Sequence, residues 1–182
     1  EVTLTASPAN LALDPDGTAK TNEQGQAIFT ATTTVAAKYT LTAQVSQTNG
    51  QVSTKTAESK FVADDKNAEL TASSDVQSLV ADGKSTAKLE VTLFSANNPV
   101  GGNVWVDIEA PEGVTEKDYQ FLPSKNDHFV SGKITRTFST SKPGVYTFTF
   151  NALTYGGYEM KPVTVTITAV DADTAKGEEA MK

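Results

Sequence analysis

The 182-residue sequence has no cysteine, one histidine and one tryptophan. Small secreted eukaryotic domains usually carry disulfides, so a chain without cysteine fits a cytosolic protein or a bacterial surface protein whose cores do without them. A lone histidine needs oriented partners before it can serve a triad or a metal site. Positive charge is scarce as well: 15 Lys and Arg stand against 22 Asp and Glu, for a net charge of −7. Phosphate binding needs a clustered basic surface, and no Lys/Arg run supplies one, which argues against nucleic acid as a partner. No apolar run approaches the roughly 18 residues of a membrane-spanning helix. No charged-then-apolar leader opens the sequence, so any export signal is expected outside it.

What is abundant is β-forming polarity. There are 27 Thr and 13 Ser. Thr and Val suit a pleated, half-buried strand surface, and every clearly periodic window has period two. The reading is all-β. An internal repeat sharpens it. Residues 25–50 align without gaps on residues 132–157, with Gly25/Gly132, Thr30/Thr137, Thr33/Thr140, Tyr39/Tyr146, Thr40/Thr147, Thr42/Thr149 and Gly50/Gly157 identical. Tyr39, Leu41, Ala43 and Val45 alternate with Thr40, Thr42 and Gln44, as Tyr146, Phe148 and Phe150 alternate with Thr147 and Thr149. Each run reads as one strand with an aromatic-led inner face and a Thr-rich outer face. Each is followed by a Gly turn, Asn49-Gly50 or Gly156-Gly157, and then by a returning strand, Val52 to Val62 or Lys161 to Val170. Pro162 suggests that the second return begins an edge strand.

The second copy is expected to run through Ala68 to Ala72, a turn at Asp82-Gly83, a strongly alternating strand from Ala87 to Leu93, a turn at Asn97-Asn98-Pro99 and a strand from Val104 to Ile108. Residues 110–132 read as irregular, with an apolar knot at Tyr119, Phe121 and Leu122. About seven strands in about 105 residues is the rhythm of an immunoglobulin-like sandwich. The fold expected is therefore a tandem of immunoglobulin-like β-sandwiches: an incomplete domain over 1–64 that lacks its first strands, a complete one over 65–170, and a linker or tail over 171–182. The polar boundary Asp64-Asp65-Lys66-Asn67 is short enough to favour a stiff rod.

The order of these elements resembles the type 1 bacterial Ig-like (Big-1) repeats of the intimin and invasin family of outer-membrane adhesins, nearest to invasin-like members. In the second copy the resemblance lies in Val80-Ala81-Asp82-Gly83, the Leu89 to Leu93 strand, Asn98-Pro99-Val100-Gly101 and the Val104 to Ile108 strand. In the first it lies in Glu1-Val2-Thr3-Leu4, Thr21-Asn22-Glu23-Gln24-Gly25-Gln26-Ala27 and the Tyr39 strand. It covers most of the chain. It implies a stalk on the bacterial cell surface, outside a membrane-anchored β-barrel, with neighbouring Ig-like domains as partners and a host receptor met at a separate tip. Residues 110–132 depart from the family pattern, where the corresponding link is shorter.

Candidate sites are few. His128 lies in the polar run Asn126-Asp127-His128. Asp14-Pro15-Asp16-Gly17 faintly resembles the opening of a calcium loop, but the later oxygen ligands are missing and the run is also a turn signal. Asp171 and Asp173 could serve an interdomain cation. Trp105 reads as packing at a sheet face or interface. The Glu178-Glu179 pair has no apolar walls to shift a pKa. Tyr155 and Tyr158 flank the Gly-Gly turn and are the one candidate contact surface, because binding residues concentrate at loop tips. No catalytic constellation, cofactor or metal site is expected. The leading function is a rigid adhesin spacer, and the alternative is an accessory glycan-binding Ig-like module of a secreted carbohydrate-active protein.

Overall fold

Alternating runs become strands wherever one face can be buried. A computed structural model describes residues 1–173 of the chain. It divides into two compact units, Glu1–Ala63 and Asp64–Lys182, and each is described by itself.

Unit 1 contains six strands: β1 (Val2–Ser7), β2 (Ala12–Asp14), β3 (Thr18–Ala19), β4 (Thr30–Thr32), β5 (Ala37–Ser46) and β6 (Val52–Phe61). A four-stranded sheet has the order β3-β1-β5-β6, and β2 pairs with β4 in a separate two-stranded sheet. The hairpin β5–β6 is antiparallel over ten residue pairs, from Ala37↔Phe61 to Ser46↔Val52. Gly50, at φ +83°, makes its turn. Only Leu11 and Tyr39 are buried hydrophobic residues in this unit.

Unit 2 opens with one 3-10 turn, Asp65–Asn67, and continues through β7 (Glu69–Ser74), β8 (Ser78–Val80), β9 (Ala87–Ser95), β10 (Asn98–Pro99), β11 (Gly102–Glu109), β12 (Tyr119–Leu122), β13 (Asn126–His128), β14 (Lys133–Thr140), β15 (Gly144–Thr154) and β16 (Val163–Val170). One sheet has the order β10-β9-β14-β12, with β7 on the other edge of β9. The second runs β13-β11-β15-β16-β8. From β9, Ala87, Leu89, Val91 and Leu93 are fully buried, as are Tyr146 and Phe148 of β15 and Phe138 of β14. Phe138 packs edge-on to Phe148 with centroids 4.9 Å apart, a favoured aromatic geometry.

Four sequence expectations need correction. The stretch 110–132 is not wholly irregular, since it holds β12 and β13. Both strands are too short to show a period. They are fixed by distant contacts, Phe121 stacking on Phe148 at 5.6 Å and Asp127 meeting Arg136. Among the described residues unit 2 accordingly has ten strands rather than about seven. The turn expected at Asn97-Asn98-Pro99 falls one residue earlier, because Ala96 and Asn97 take the positive φ that a tight hairpin needs, and Asn98 already pairs with Ser95. Finally, β16 is an edge only in its first half, for Thr168–Val170 pair in parallel with β8. Pro162, just before the strand, leaves that pairing intact.

The two units repeat one scaffold more fully than sequence identity suggests. Val2 pairs with Val45 where Val104 pairs with Ala152, so β1 is the counterpart of β11. Thr3↔Thr18 matches Trp105↔Asn126, which makes β3 the counterpart of β13. Leu13↔Ala31 matches Phe121↔Phe138, so the pair β2–β4 repeats β12–β14.

Candidate functional site

The most developed polar constellation is built twice. In unit 2 the Tyr146 side chain leaves β15 inward, and its hydroxyl lies 2.8 Å from the Lys142 carbonyl oxygen and 2.7 Å from Thr140 Oγ1. Thr140 Oγ1 in turn accepts from the Lys142 amide at 3.1 Å and reaches the Asp118 carbonyl oxygen at 3.2 Å. In unit 1 the Tyr39 hydroxyl lies 3.0 Å from the Val35 carbonyl oxygen and 3.1 Å from Thr33 Oγ1, which accepts from the Val35 amide at 3.1 Å and donates to the Asn10 carbonyl at 3.0 Å. The Tyr39 hydroxyl also meets Asn10 Oδ1 at 2.7 Å. This is the tyrosine corner of immunoglobulin-like sandwiches, in which a buried phenol ties the turn before a strand back onto the sheet. Burial pushes the Tyr146 phenol above its ordinary range, against the opposing hydrogen bond with Thr140. The group stays neutral and acts as a clamp. The signal was present in sequence as the shared Thr33/Thr140 and Tyr39/Tyr146, six residues apart in each copy.

A second constellation is confined to unit 2. Arg136 projects inward from β14 and is almost fully buried. Its guanidinium donates from Nε to the Ser124 carbonyl at 2.8 Å, from Nη1 to the Thr135 carbonyl at 2.8 Å and from Nη2 to Asp127 Oδ2 at 2.5 Å. The hydrogen bond from Arg136 holds the Asp127 carboxyl below the usual carboxylate range, helped by the His128 amide. Of the three acceptors, Thr135 belongs to β14 itself, whereas Ser124 lies in the β12–β13 loop and Asp127 in β13, so the buried charge ties that loop and β13 to β14. Nothing in the sequence marked this residue, because Arg136 sits at an inner position of an otherwise apolar strand.

The residues singled out from sequence fall as follows. His128 ends β13 with its ring in solvent, 3.4 Å from its neighbour Asp127. Asp14-Pro15-Asp16-Gly17 is a turn: the Gly17 amide donates to the Pro15 carbonyl at 2.8 Å, and the Gly17 carbonyl accepts from Leu4 at 2.8 Å. Asp171 Oδ1 accepts from the Asp173 amide at 2.8 Å. Glu178 and Glu179, with the rest of the expected tail beyond 173, lie outside the described residues. Among the described residues no group of three or more His, Asp or Glu could hold a metal ion. Trp105 is half-buried on the outer face of its sheet, between Asn126 and Asn151.

Tyr155 and Tyr158 are brought together on one turn of unit 2. Tyr155 is 66% exposed and Tyr158 41%. The turn is rigidly held. Tyr155 donates its amide to the Gly101 carbonyl at 3.1 Å, and Tyr158 donates its amide to Thr154 Oγ1 at 3.0 Å. Thr154 Oγ1 donates to Asp65 Oδ2 at 3.1 Å. Two glycines let side chains close in on this turn. A Cβ at Gly101 would sit 2.8 Å from the Tyr155 ring, and one at Gly156 would sit 1.9 Å from Asp65 Oδ2.

No family model matches the chain, and no curated protein matches it. Among solved structures it is similar to the D00-D0 domains of intimin, at 15% identity and a TM-score of 0.46, with 93% of this chain and 85% of that one covered. It is also similar to invasin, described as a bacterial integrin-binding protein, at 21% identity and a TM-score of 0.41, covering 93% of this chain and 32% of that one. A glycosyl hydrolase family 2 member from Bacteroides cellulosilyticus is similar over 79% of this chain and 18% of its own, at 17% identity and a TM-score of 0.44.

Proposed function

We propose that the chain is stalk of a bacterial cell-surface adhesin, a non-enzymatic spacer that holds a host-contacting tip away from the membrane. One observation carries this reading: a single hydrogen-bonded scaffold, tyrosine corner included, is built twice in succession. A spacer needs each unit to resist deformation, and the corner supplies that by locking a loop onto the sheet it precedes. The partners of such a stalk are adjacent Ig-like domains of its own polypeptide. In the parent protein, replacing residues 65–170 with an unrelated immunoglobulin-like sandwich is expected to preserve attachment to host cells. A flexible Gly/Ser segment of equal length is expected to abolish it. Loss of attachment with the sandwich replacement would refute the spacer role and favour direct contact.

A second reading rests on the exposed Tyr155 and Tyr158, held on a rigid turn. Such a tip suits a receptor or a glycan surface, since aromatic rings bury large area at low entropic cost. Tyr155→Ala with Tyr158→Ala separates the two readings, for a spacer tolerates the change and a contact site does not.

A further inference from the structure

The second copy of the scaffold shows what the first leaves open. In unit 2 the inner residues of β14, Ile134, Arg136 and Phe138, are buried, and Lys133–Phe138 pair along their length with β9. Their counterparts in unit 1 are Ala27, Phe29 and Ala31. All three are half-buried, and residues 26–29 pair with no strand. The same holds on the facing sheet. Phe148 and Phe150 are buried, whereas their counterparts Leu41 and Ala43 are only half-buried, and the counterpart of Ala152, Val45, is 37% exposed. Unit 1 has counterparts of β11 to β16 and none of β7 to β10. Its β4 edge therefore carries unpaired backbone groups beside an incompletely covered apolar face, a combination that readily accepts another strand.

We propose that this edge and face are the docking site for one occupant: a strand pair of the same polypeptide, lying ahead of Glu1 in sequence, laid down as β7 and β9 are in unit 2. The chemistry of the occupant follows from the template. Its inner strand runs antiparallel to residues 26–31 and carries aliphatic residues at alternate positions, as Ala87, Leu89, Val91 and Leu93 do. Its place in the chain follows from topology. In unit 2 the covering strands directly precede β11, with only Val100 and Gly101 between β10 and it, so the equivalent segment directly precedes β1. Lys55, Ala57 and Ser59 stand on β6 where Val163, Val165 and Ile167 stand on β16, so the occupant covers Phe29, Leu41 and Ala43 more than it covers the far edge.

The test compares residues 1–182 with the same chain lengthened at its N-terminus by about forty parent residues, the span from Asp64 to Gly101 in unit 2. Amide hydrogen exchange is read by mass spectrometry, with Lys133–Phe138 of unit 2 as the internal standard. The expected result is fast exchange over 26–31 in the shorter chain and slowing of roughly 100-fold there in the longer one. Replacing the central aliphatic residue of the added strand by Asp should restore fast exchange over 26–31 while unit 2 is unchanged. Equal exchange in the two chains would overturn the proposal, as would protection in the shorter chain that already equals the standard. Protection that rises with concentration alongside a dimer in sedimentation would assign the face to a second copy and overturn it too.

Discussion

Units 1 and 2 share a corner and differ in a core. The Tyr39 and Tyr146 hydroxyls find the same backbone and threonine partners within a few tenths of an ångström, yet Leu41 is half-buried where its counterpart Phe148 is fully buried. The contrast separates two kinds of cause. The corner is local chemistry, closed by residues within 29 positions of one another in unit 1. The core is a long-range product, and in unit 2 it includes the four fully buried side chains of β9. The polar closure of the corner is thus the same in a unit with a full apolar core and in one where Leu11 and Tyr39 are the buried hydrophobic residues.

The largest break in the comparison should come at the pair Leu41 and Phe148. Phe148→Ala removes a fully buried ring and should cost about 3–5 kcal/mol in urea melts of unit 2. Leu41→Ala removes side-chain area that water already reaches, so its cost should stay below about 1 kcal/mol. Equal costs would mean that unit 1 is packed as tightly as unit 2.

The next difference is the buried cation. Arg136 and Asp127 occupy the places that Phe29 and Ala19 hold in unit 1. Asp127→Ala strands the guanidinium without its carboxylate and should cost about 2 kcal/mol. Installing the unit 1 pair, Asp127→Ala with Arg136→Phe, should cost less than the single change, because no buried charge is then left unpaired. A double variant that is additive with both singles would show that the pair is not coupled.

At the corner the comparison should vanish. Tyr146→Phe and Tyr39→Phe each remove one hydroxyl that shares a backbone carbonyl and a Thr partner, Tyr39 adding Asn10 Oδ1, so each should cost about 1–2 kcal/mol. Separate melting of the two units measures this. A Tyr39→Phe cost near zero beside a full cost for Tyr146→Phe would mean that the corner, too, draws its strength from the surrounding core.

How much of this was legible depended on range. The strands β5, β9, β11 and β15 announced themselves by alternation, since one face of each is apolar and the other carries mostly polar or charged residues, with exceptions such as Phe94 and Trp105. The strands β12 and β13 did not, because four and three residues cannot display a period, and what fixes them is Phe121 on Phe148 and Arg136 on Asp127. Arg136 was invisible for a related reason: a charged residue at an inner position reads as an outer one until its oxygen partners, twelve and nine residues away, are known. The repeat, by contrast, was visible through Thr33/Thr140 and Tyr39/Tyr146, although their joint role as a hydrogen-bonded clamp needed geometry. Tyr155 and Tyr158 were legible as a pair at a turn, and the rigidity that Gly101 and Asp65 give that turn was not.

The smallest effect should be a pH dependence that unit 2 has and unit 1 lacks at the equivalent place. The Arg136 hydrogen bond, with the His128 amide, depresses the Asp127 pKa in the folded chain. A carboxyl whose folded pKa lies below its unfolded value of about 3.9 contributes stability that is fully present above that value and is lost as pH falls through the folded one. Unit 2 should therefore lose part of its stability between about pH 5 and pH 2 through this group. The loss should be smaller than that of Asp127→Ala, because a protonated Asp127 can still accept from Arg136 through its carbonyl oxygen. Glu116, held down by Lys125, and Asp82, held down by the Ser85 and Lys84 amides, titrate in the same range but are exposed at the surface, so the group is isolated by difference. The unfolding free energy of unit 2 is measured across that window for the native sequence and for Asp127→Asn. The Asn variant has no proton to gain and should show the shallower acid slope. Parallel slopes would mean that the Asp127–Arg136 bond is not held in solution. Unit 1 carries Ala19 at this position and should show no counterpart of the difference.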